Sequence, residues 1–566
     1  MEWKIDRRTF LKTAAGAVAA CMPFERAAAQ APAVTPSLPV TLYNGIRLAH
    51  PWPPDNHGFP PMPVTPPYLA DRPEIVPIDL GRQLFVDDFL IEDATLTRTF
   101  HRAEYYDKNP VLSPVSKWEK HDEYAERTKT RSNPAAMPFS DGVFYDPEDR
   151  IFKMWYMCGY SQNTCYAIST DGFTWDRPAL DVVAGSNLVT RGTRDSSTVW
   201  LDLVDRDRSR RYKMARWYDH YMELLASHDG RHWRPMGRTG NTGDRTTFFY
   251  NPFRAVWVYS LRADVPGTQV RCRRYWETTD LFANVSWADR PVFWTSADAA
   301  DPRRPEFDVA AELYNLDCVG YESVLLGLFT IFRGERLDRE KPNDVCVGFS
   351  RDGFHWDRPD RRAFIPVSER VGSWNWANVQ SAGGCCLIVG DKLHFYVSGR
   401  HGIPGTTDPG VCSTGLATLR RDGFVSMDDN PSDSTVQRIR TSSPPASLTT
   451  RPIRFGGRYL FVNVDAPGGE LRVEVLDRDG RTIAPFTRAD CTPVRADSTR
   501  ARVTWASATD LSAVIGQVVR FRFHLTRGRL YAFWVSASPS GASRGFVAAG
   551  GPGFRGIADD VGAGRA

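Results

Sequence analysis

The chain has 566 residues, which is too long for one ordinary hydrophobic core and predicts one large repeat domain or two to three domains. Hydrophobic residues make up 42% of the chain and charged residues 24%, as in soluble globular proteins. The formal net charge is only +4, with no basic stripe, so the composition argues against a nucleic-acid-binding protein.

The first residues, DRRTFLKTAAGAVAAC, join Arg7 and Arg8 to a short Ala-rich apolar run. This pattern resembles a twin-arginine export signal, and the run is too short to span a bilayer. The sequence AQA at Ala29–Ala31 has the small-x-small form of a cleavage site. We expect residues 1–31 to be a signal peptide and the protein to be periplasmic or secreted. Lipoprotein anchoring at Cys21 is the less favoured alternative, and no other segment predicts a membrane span.

Residues 32–77 are rich in proline (PWPPDNHGFPPMPVTPPYL) and predict an extended segment, since proline cannot donate to a strand ladder. From 78 to 445 the chain consists of short apolar or alternating runs separated by Gly, Asn, Asp and Pro. Examples are IFKMWYMCGY and KLHFYVSGR. These runs predict β-strands, and helical periodicity is nearly absent.

One phrase recurs along this region. SRDGFHWDRP at 350–359 has near copies in STDGFTWDRP, which starts at Ser169, and SHDGRHWRP, which starts at Ser227. Asp-Gly between strand-like runs predicts a two-residue type I′ hairpin, because that turn needs positive φ at both central residues. The Trp three residues after the Gly would then pack between neighbouring sheets; these are Trp175, Trp233 and Trp356.

Weaker copies at Asp280 and Asp422 bring the number of units to five. Repetition of this kind in all-β sequence predicts a five-bladed β-propeller over 78–445. The segment QLFVDDFLIED, before the first unit, could supply the strand that closes the ring. Residues 446–540 alternate without the Trp-tagged turn and predict a β-sandwich. The Gly-rich residues 541–566 predict a disordered tail.

Nine cysteines remain after Cys21 is removed, so a single chain keeps at least one free thiol. Most lie in apolar strand-like runs and predict small buried side chains. Cys158 and Cys165 flank a predicted hairpin and could form a disulfide. No C-x-x-C or H-E-x-x-H motif is present, so we expect no cofactor and no metal site, while a structural cation in the channel is left open.

In a propeller, the first strand of every blade lines the channel and starts at the same mouth. The first four predicted starts carry carboxylates: Asp141, Asp195, Asp244 and Glu322. Four carboxylates at one mouth repel one another, so some should have raised pKa values. Glycosidic cleavage needs this arrangement, with one protonated acid and one ionised base or nucleophile.

These blade starts resemble the five-bladed propeller glycoside hydrolases of the invertase/levanase and arabinanase type (families 32 and 43), including exported bacterial members, and more distantly the β-mannoside phosphorylases. TRDSSTVW resembles an Arg-Asp-Pro motif, which implies Asp195 as transition-state stabiliser and Arg194 as a substrate contact. The resemblance implies Asp141 in FSDGVFYD as nucleophile or base, and Asp244 in GDRTTFFYN as acid. Glu322 is an alternative acid.

Further residues predict substrate contacts. Trp376, Asn378 and Gln380 in SWNWANVQ have the character of a sugar-stacking and hydroxyl-binding loop. A second set could bind a carboxylate or phosphate where its members converge: Arg194, Arg245, Arg262 and Arg400. The leading hypothesis is an exported glycoside hydrolase with a carbohydrate substrate. Its alternatives are a non-catalytic sugar-binding propeller and a glycoside phosphorylase, and the oligomeric state is left open.

Overall fold

The computed structural model describes residues 40–55, 62–120, 133–265, 267–283, 285–287, 291–307, 309–334, 339–429 and 446–562. All of them belong to one compact unit, 33–566. The predicted signal peptide lies outside the described residues. The described residues hold two α-helices, each a single turn: α1 (Pro67–Ala70) and α2 (Lys117–Lys120). No helix in this part of the chain has the length and apolarity to cross a membrane.

Five short strands precede the repeated region: β1 (Val76–Pro77), β2 (Gln83–Leu84), β3 (Ile91–Ala94), β4 (Thr97–Phe100) and β5 (Glu104–Tyr105). The Pro-rich segment before them is anchored by buried Leu42, Ile46, Leu48 and Trp52. Its described part therefore packs against the rest of the protein, and it includes the short helix α1 and the strand β1.

Three four-stranded antiparallel sheets follow in chain order. Sheet 1 holds β6 (Ala136–Asp146), β7 (Ile151–Cys158), β8 (Thr164–Ser169) and β9 (Leu188–Thr190). Sheet 2 holds β10 (Ser197–Leu201), β11 (Tyr212–Tyr218), β12 (Tyr221–Ser227) and β13 (Arg234–Arg238). Sheet 3 holds β14 (Thr247–Asn251), β15 (Val256–Asp264), β16 (Arg271–Thr278) and β17 (Val292–Ser296).

Two further sheets complete the series. Sheet 4 holds β18 (Glu312–Glu322), β19 (Val324–Phe332) and β20 (Asn343–Ser350). Sheet 5 holds β21 (Asn378–Ser381), β22 (Leu387–Val389), β23 (Lys392–Arg400) and β24 (Cys412–Arg420), with β5 at its outer edge. The first strands contact one another in cyclic order, β6 to β10, β14, β18, β21 and back to β6. The predicted β-propeller is confirmed, and we call the channel end where these first strands begin the mouth.

The repeated phrase lies between the third and fourth strands of the sheets. Gly172 has a left-handed φ of 77°, whereas Asp171 does not, so the predicted type I′ turn is wrong. Asp171 Oδ1 instead accepts hydrogen bonds from the amides of Phe173 and Thr174, at 2.7 and 2.8 Å. The connection is therefore a loop longer than two residues, and side-chain oxygens accept the hydrogen bonds of its backbone amides.

Each of three such loops is held by an aromatic side chain of the preceding sheet. The Gly230 carbonyl of sheet 2 accepts from Trp155 Nε1 of sheet 1 at 2.7 Å. The Phe354 carbonyl of sheet 4 accepts from Trp294 Nε1 of sheet 3 at 2.7 Å. The Gly172 carbonyl of sheet 1 accepts from the Tyr396 hydroxyl of sheet 5 at 2.6 Å. The phrase therefore recurs because each blade docks on its neighbour through the same loop.

A β-sandwich follows the propeller, as predicted. One layer has the strand order β30 (Asp497–Arg502), β28 (Tyr459–Asp465), β32 (Arg529–Ser536), β25 (Val425–Asp428), β4, with β2 also on β32. The other has β29 (Glu470–Leu476), β31 (Arg520–Thr526), β26 (Ala446–Thr450), β3. A short strand, β27 (Ile453–Arg454), pairs with β1. The predicted closing role of QLFVDDFLIED is wrong, because its strands join the sandwich and β5 completes sheet 5 instead.

The C-terminal segment contradicts the predicted disordered tail over its described part, 541–562. Its strand β33 (Phe546–Val547) pairs with the end of β18. The carbonyl of Ala549 accepts from Tyr145 N at 3.0 Å, and the carbonyl of Gly550 accepts from Ile388 N at 2.9 Å. The segment therefore spans sheets 1, 4 and 5 at the far end of the channel. Its glycines let its backbone approach these sheets closely, and they do not make it disordered.

Candidate functional site

Asp195 and Asp244 lie together at the mouth. Asp195 precedes β10 by two residues and Asp244 precedes β14 by three, so neighbouring blades present them. Burial, followed by the negative charge of Asp244, raises the pKa of Asp195 to about 6. Oδ1 of Asp195 is buried and has no hydrogen-bond partner among the described residues. The carboxyl group of Asp195 is thus suited to hold a proton near neutral pH.

Asp244 is the more solvent-accessible of the two, with 47% of its side chain exposed. Its Oδ1 lies 3.6 Å from Arg262 Nε, a loose ion pair at the rim. Arg262 also pairs with Asp264 at 3.2 Å. The mouth therefore combines a carboxyl group with one oxygen shielded from solvent and a more accessible carboxylate, which are the two environments that acid–base chemistry requires.

Asp141 is fully buried in the middle of β6 and forms a two-pronged ion pair with Arg194. The distances are 2.6 Å from Arg194 Nη1 to Oδ1 and 2.8 Å from Nη2 to Oδ2. Burial raises the pKa of Asp141, and the Arg194 charge opposes that rise. The predicted role of Asp141 as nucleophile or base is not supported by this geometry, because both oxygens are occupied and neither reaches solvent.

Glu322 does not join the mouth, and this prediction of its position is wrong. It ends β18 at the far end of the channel, where Oε1 accepts from Arg421 Nη2 at 2.9 Å. Its Oε2 accepts from Ser543 Oγ at 2.7 Å and from the Arg82 amide at 3.1 Å. The error arose because YESVLLG was taken as the start of a blade, whereas it is the hairpin between β18 and β19.

The true first strand of sheet 4 carries Asp317, which sequence reasoning missed. Asp317 Oδ2 accepts from Ser381 Oγ at 2.6 Å, Asn315 Nδ2 at 2.8 Å and Ser140 Oγ at 3.3 Å. These partners come from three first strands, so the network ties sheets 1, 4 and 5 across the channel below the mouth. The alternation in ELYNLDCVGYE could have marked this strand and its inward Asn and Asp.

Arg245 crosses the channel from sheet 3 to sheet 1. Its Nη2 donates to Ser140 Oγ at 3.0 Å and its Nη1 to the Phe139 carbonyl at 3.2 Å, and its guanidinium lies 3.9 Å from the centre of the Phe139 ring. Ser140 and Arg245 have left-handed φ values of 66° and 59°. Such backbone is disfavoured for residues with a Cβ and concentrates at functional sites.

Arg400, at the end of β23, pairs with buried Glu340, with 2.5 Å between Arg400 Nη1 and Glu340 Oε1. Its guanidinium also stacks on Tyr160 at 5.1 Å. The charges of Arg245, Arg400 and Arg194 all act to lower the pKa of Asp195. The predicted convergence of these arginines is therefore present, whereas Glu340 and Tyr160 escaped sequence reasoning because no repeat marks the loops that carry them.

The predicted sugar-stacking loop is packed into the protein. Trp376 is 6% exposed and lies under the Arg339 guanidinium, 5.2 Å from its ring centre. Asn378 Nδ2 donates to the Lys341 carbonyl at 2.6 Å, and Gln380 Nε2 donates to Asn378 Oδ1 at 2.7 Å. Neither amide side chain is exposed. The direct sugar-contact roles predicted for Trp376, Asn378 and Gln380 are therefore not supported; these residues fix the loop before β21.

The cysteines follow the sequence prediction. Cys158 and Cys165 form a disulfide across β7 and β8, with Cα atoms 5.8 Å apart. The other cysteines of the described chain, from Cys272 to Cys491, are buried free thiols. Across the same described residues, no group of three or more His, Cys, Asp or Glu side chains is arranged to hold a metal ion.

No protein-family model matches the chain. A beta-1,4-mannooligosaccharide phosphorylase of Ruminococcus albus is 31% identical over 103 residues, which are 16% of this chain and 30% of that protein. The chain therefore matches less than a third of the length of that curated relative.

Solved structures similar to this chain include a thermostable family-43 glycoside hydrolase, at 11% identity and a TM-score of 0.36, covering 53% of this chain and 98% of that one. A fructofuranosidase of Schwanniomyces occidentalis matches at 11% identity and a TM-score of 0.33, covering 71% of this chain and 96% of that one. The β-propeller of this chain is established by its own strand topology.

Proposed function

We propose that the protein cleaves glycosidic bonds at the mouth of the propeller, with Asp195 as proton donor. The observation that carries this proposal is a half-buried Asp195, with one carboxyl oxygen shielded from solvent and a pKa raised to about 6, beside the half-exposed Asp244. A glycosidic oxygen is a poor leaving group unless it is protonated, and a carboxylic acid with a pKa near the working pH supplies that proton.

In this mechanism Asp195 protonates the leaving oxygen, and Asp244 acts as base or nucleophile on the opposite face of the sugar ring. Asp244 either activates a water molecule, which inverts the anomeric centre, or attacks it directly, which retains the configuration. The positive charges of Arg245 and Arg400 act to lower the pKa of Asp195 and so limit its rise. This assignment moves the acid from the third blade, as the family resemblance implied, to the second.

A panel of plant and microbial oligosaccharides tests the proposal directly. The wild-type protein should release shortened products from at least one member, and Asp195→Asn should lower that rate by about 10²–10⁴-fold. Asp181→Asn is a matched control, because the side chain of Asp181 is 79% exposed on the surface of sheet 1. Equal turnover by Asp195→Asn and wild type would exclude Asp195 as the acid.

Phosphorolysis is the second candidate, and two observations favour it. The partial relative named above is a phosphorylase. Arg245 and Arg273 are fully buried, and the hydrogen bonds of their guanidinium groups within the described part of the chain go to carbonyl and hydroxyl oxygens rather than to carboxylates. A phosphate oxygen would attack the anomeric carbon while Asp195 protonates the leaving sugar, giving a sugar 1-phosphate. Product analysis with and without inorganic phosphate separates the two reactions.

We also propose that the protein acts after export. The twin-arginine pattern at Arg7 and Arg8 supports this, and so does the Cys158–Cys165 disulfide, since disulfides persist mainly in oxidising compartments. Fractionation of cells that produce the full chain, with Arg7→Lys/Arg8→Lys as the matched variant, tests it. Retention of the variant in the cytoplasm is the expected result, and equal export of both proteins would contradict it.

A further inference from the structure

The hairpin between β11 and β12, residues 217–221, carries a group of aromatic rings at the mouth, and we call it the rim hairpin. Tyr218 is 47% exposed, and His220 is also exposed. The Tyr218 and Tyr221 rings meet edge-on at 6.4 Å, and the Trp217 and His220 rings at 6.0 Å. A ring held by a second ring at its edge keeps its face available for a ligand.

The turn of the rim hairpin is built at a conformational cost. Asp219 and His220 both have left-handed φ values, 48° and 72°. A two-residue turn of this kind normally uses Asn-Gly or Gly-Gly, because a Cβ disfavours positive φ. Asp and His are among the non-glycine residues that adopt positive φ most readily, so the turn forms without glycine and places the His220 ring at its tip.

The rim hairpin is fastened to both candidate catalytic residues. The amide of Asp195 donates to the Trp217 carbonyl at 3.3 Å. The amide of Thr242, two residues before Asp244, donates to the His220 carbonyl at 2.7 Å. Trp217 Nε1 returns a hydrogen bond to the Thr242 carbonyl at 3.1 Å. These bonds hold the aromatic rings at a fixed position beside the two carboxylates.

We propose that the rim hairpin is a sugar-binding subsite that stacks a pyranose ring of a glycan, beyond the sugar whose bond is cleaved. The exposed rings of Tyr218 and His220 would contact the apolar C–H face of that ring. The stacked ring lies beyond both sugars that the cleaved bond joins, so the substrate is an oligosaccharide of three or more units rather than a disaccharide. This inference rests on the proposed function, because the subsite extends the same mouth.

The test measures affinity in the inactive Asp195→Asn background, so that cleavage does not interfere. The probes are β-1,4-linked mannooligosaccharides of two to six units, together with an array of plant and microbial oligosaccharides. His220→Gly removes the ring and the steric cost of positive φ together, so the melting temperature should hold or rise. The same variant, like Tyr218→Ala, should lose about three- to tenfold in affinity for the longer members.

Two controls separate stacking from folding. Tyr218→Phe keeps the ring and should retain the parent affinity. His228→Ala removes an exposed histidine of the same blade, 67% exposed and at the opposite end of β12, and should change nothing. The expected signature is a falling ratio of long-chain to disaccharide affinity in His220→Gly and Tyr218→Ala alone.

The outcomes distinguish the subsite from the proposed function. Unchanged long-chain affinity in His220→Gly and Tyr218→Ala would overturn the subsite, even if Asp195→Asn abolishes cleavage. Absence of binding to every probe by the Asp195→Asn parent would overturn it as well. If His220→Gly and Tyr218→Ala lose long-chain affinity but the wild-type protein cleaves no oligosaccharide, the subsite is supported and the proposed hydrolase activity is rejected.

Discussion

Arg194 clamps both carboxylate oxygens of Asp141, at 2.6 and 2.8 Å, inside the wall of the channel. The same guanidinium donates from Nε to the carbonyl of Asp195 at 3.0 Å. Asp141 therefore acts on the mouth through Arg194, as a positioning residue for the backbone of Asp195. The pair joins sheet 1 to sheet 2 at the point where the candidate acid emerges.

Asp141→Asn should destabilise the protein by about 3–5 kcal/mol, because it leaves the fully buried Arg194 without a counter-charge. Urea denaturation followed by tryptophan fluorescence measures this loss. The double variant Asp141→Leu/Arg194→Met should recover part of it, since no unpaired charge remains. A single variant as stable as wild type would show that the ion pair does not hold the two sheets.

The activity should fall as pH rises through about 6, since the proton donor Asp195 has a pKa of about 6. Above that value kcat/KM should drop about tenfold per pH unit on the cleaved oligosaccharide. A pH–rate profile between pH 4 and 9 checks this. A rate that stays constant from pH 6 to 8 would contradict the donor role.

Asp195 should also make stability depend on pH. Its pKa is about 6 in the folded protein against 3.8 as the reference, so the folded state binds the extra proton between those values. Stability from this group is therefore lost as pH rises from about 4 to 6. Asp195→Asn should remove this loss, so that the variant melts higher than wild type at pH 7 but not at pH 4.

Asp244→Asn should lower the pKa of Asp195, because the Asp244 charge is the second contribution to its rise after burial. The pH dependence of the melting temperature should then shift toward acid, and kcat/KM should fall by about 10²–10⁴-fold. Asp264→Asn is the matched control, since Asp264 pairs with the same Arg262. Equal effects of the two variants would show that Asp244 acts only through its ion pair with Arg262 and not in catalysis.

Glu322→Gln should weaken the fold without touching the chemistry. Glu322 bonds Arg421, Ser543 and the Arg82 amide between the propeller and the C-terminal segment. Removal of its charge should cost about 1–3 kcal/mol, because Arg421 and Arg82 retain other acidic partners. The melting temperature should fall while kcat/KM per folded molecule stays constant. A loss of activity without a loss of stability would instead indicate that Glu322 takes part in catalysis.

Local patterns in the sequence were sufficient for the fold class. Alternating runs identified the strands, and the recurring Ser-x-Asp-Gly phrase identified the blades, since that phrase satisfies its loop amides with side chains only two or three residues away. Trp175 and Trp356 pack between sheets as predicted, against Tyr396 and Trp294. The Cys158–Cys165 disulfide was also readable, because both residues flank one short hairpin.

The site required long-range geometry. Asp141, Asp195 and Asp244 have similar sequence settings, yet Asp141 is neutralised by Arg194, Asp195 is half-buried beside a like charge and Asp244 is the most exposed to water. Glu322 was displaced to the far end because a single strand, β18, was read as starting ten residues late.

The sequence by itself determined an all-β chain of repeated sheets, since strand alternation and turn chemistry act between near neighbours. Only the tertiary structure decided which carboxylates share the mouth and which are locked in ion pairs. Charge and burial act through space, and in a ring of blades the residues that meet in space, such as Asp195 and Asp244, come from different blades and are far apart along the chain.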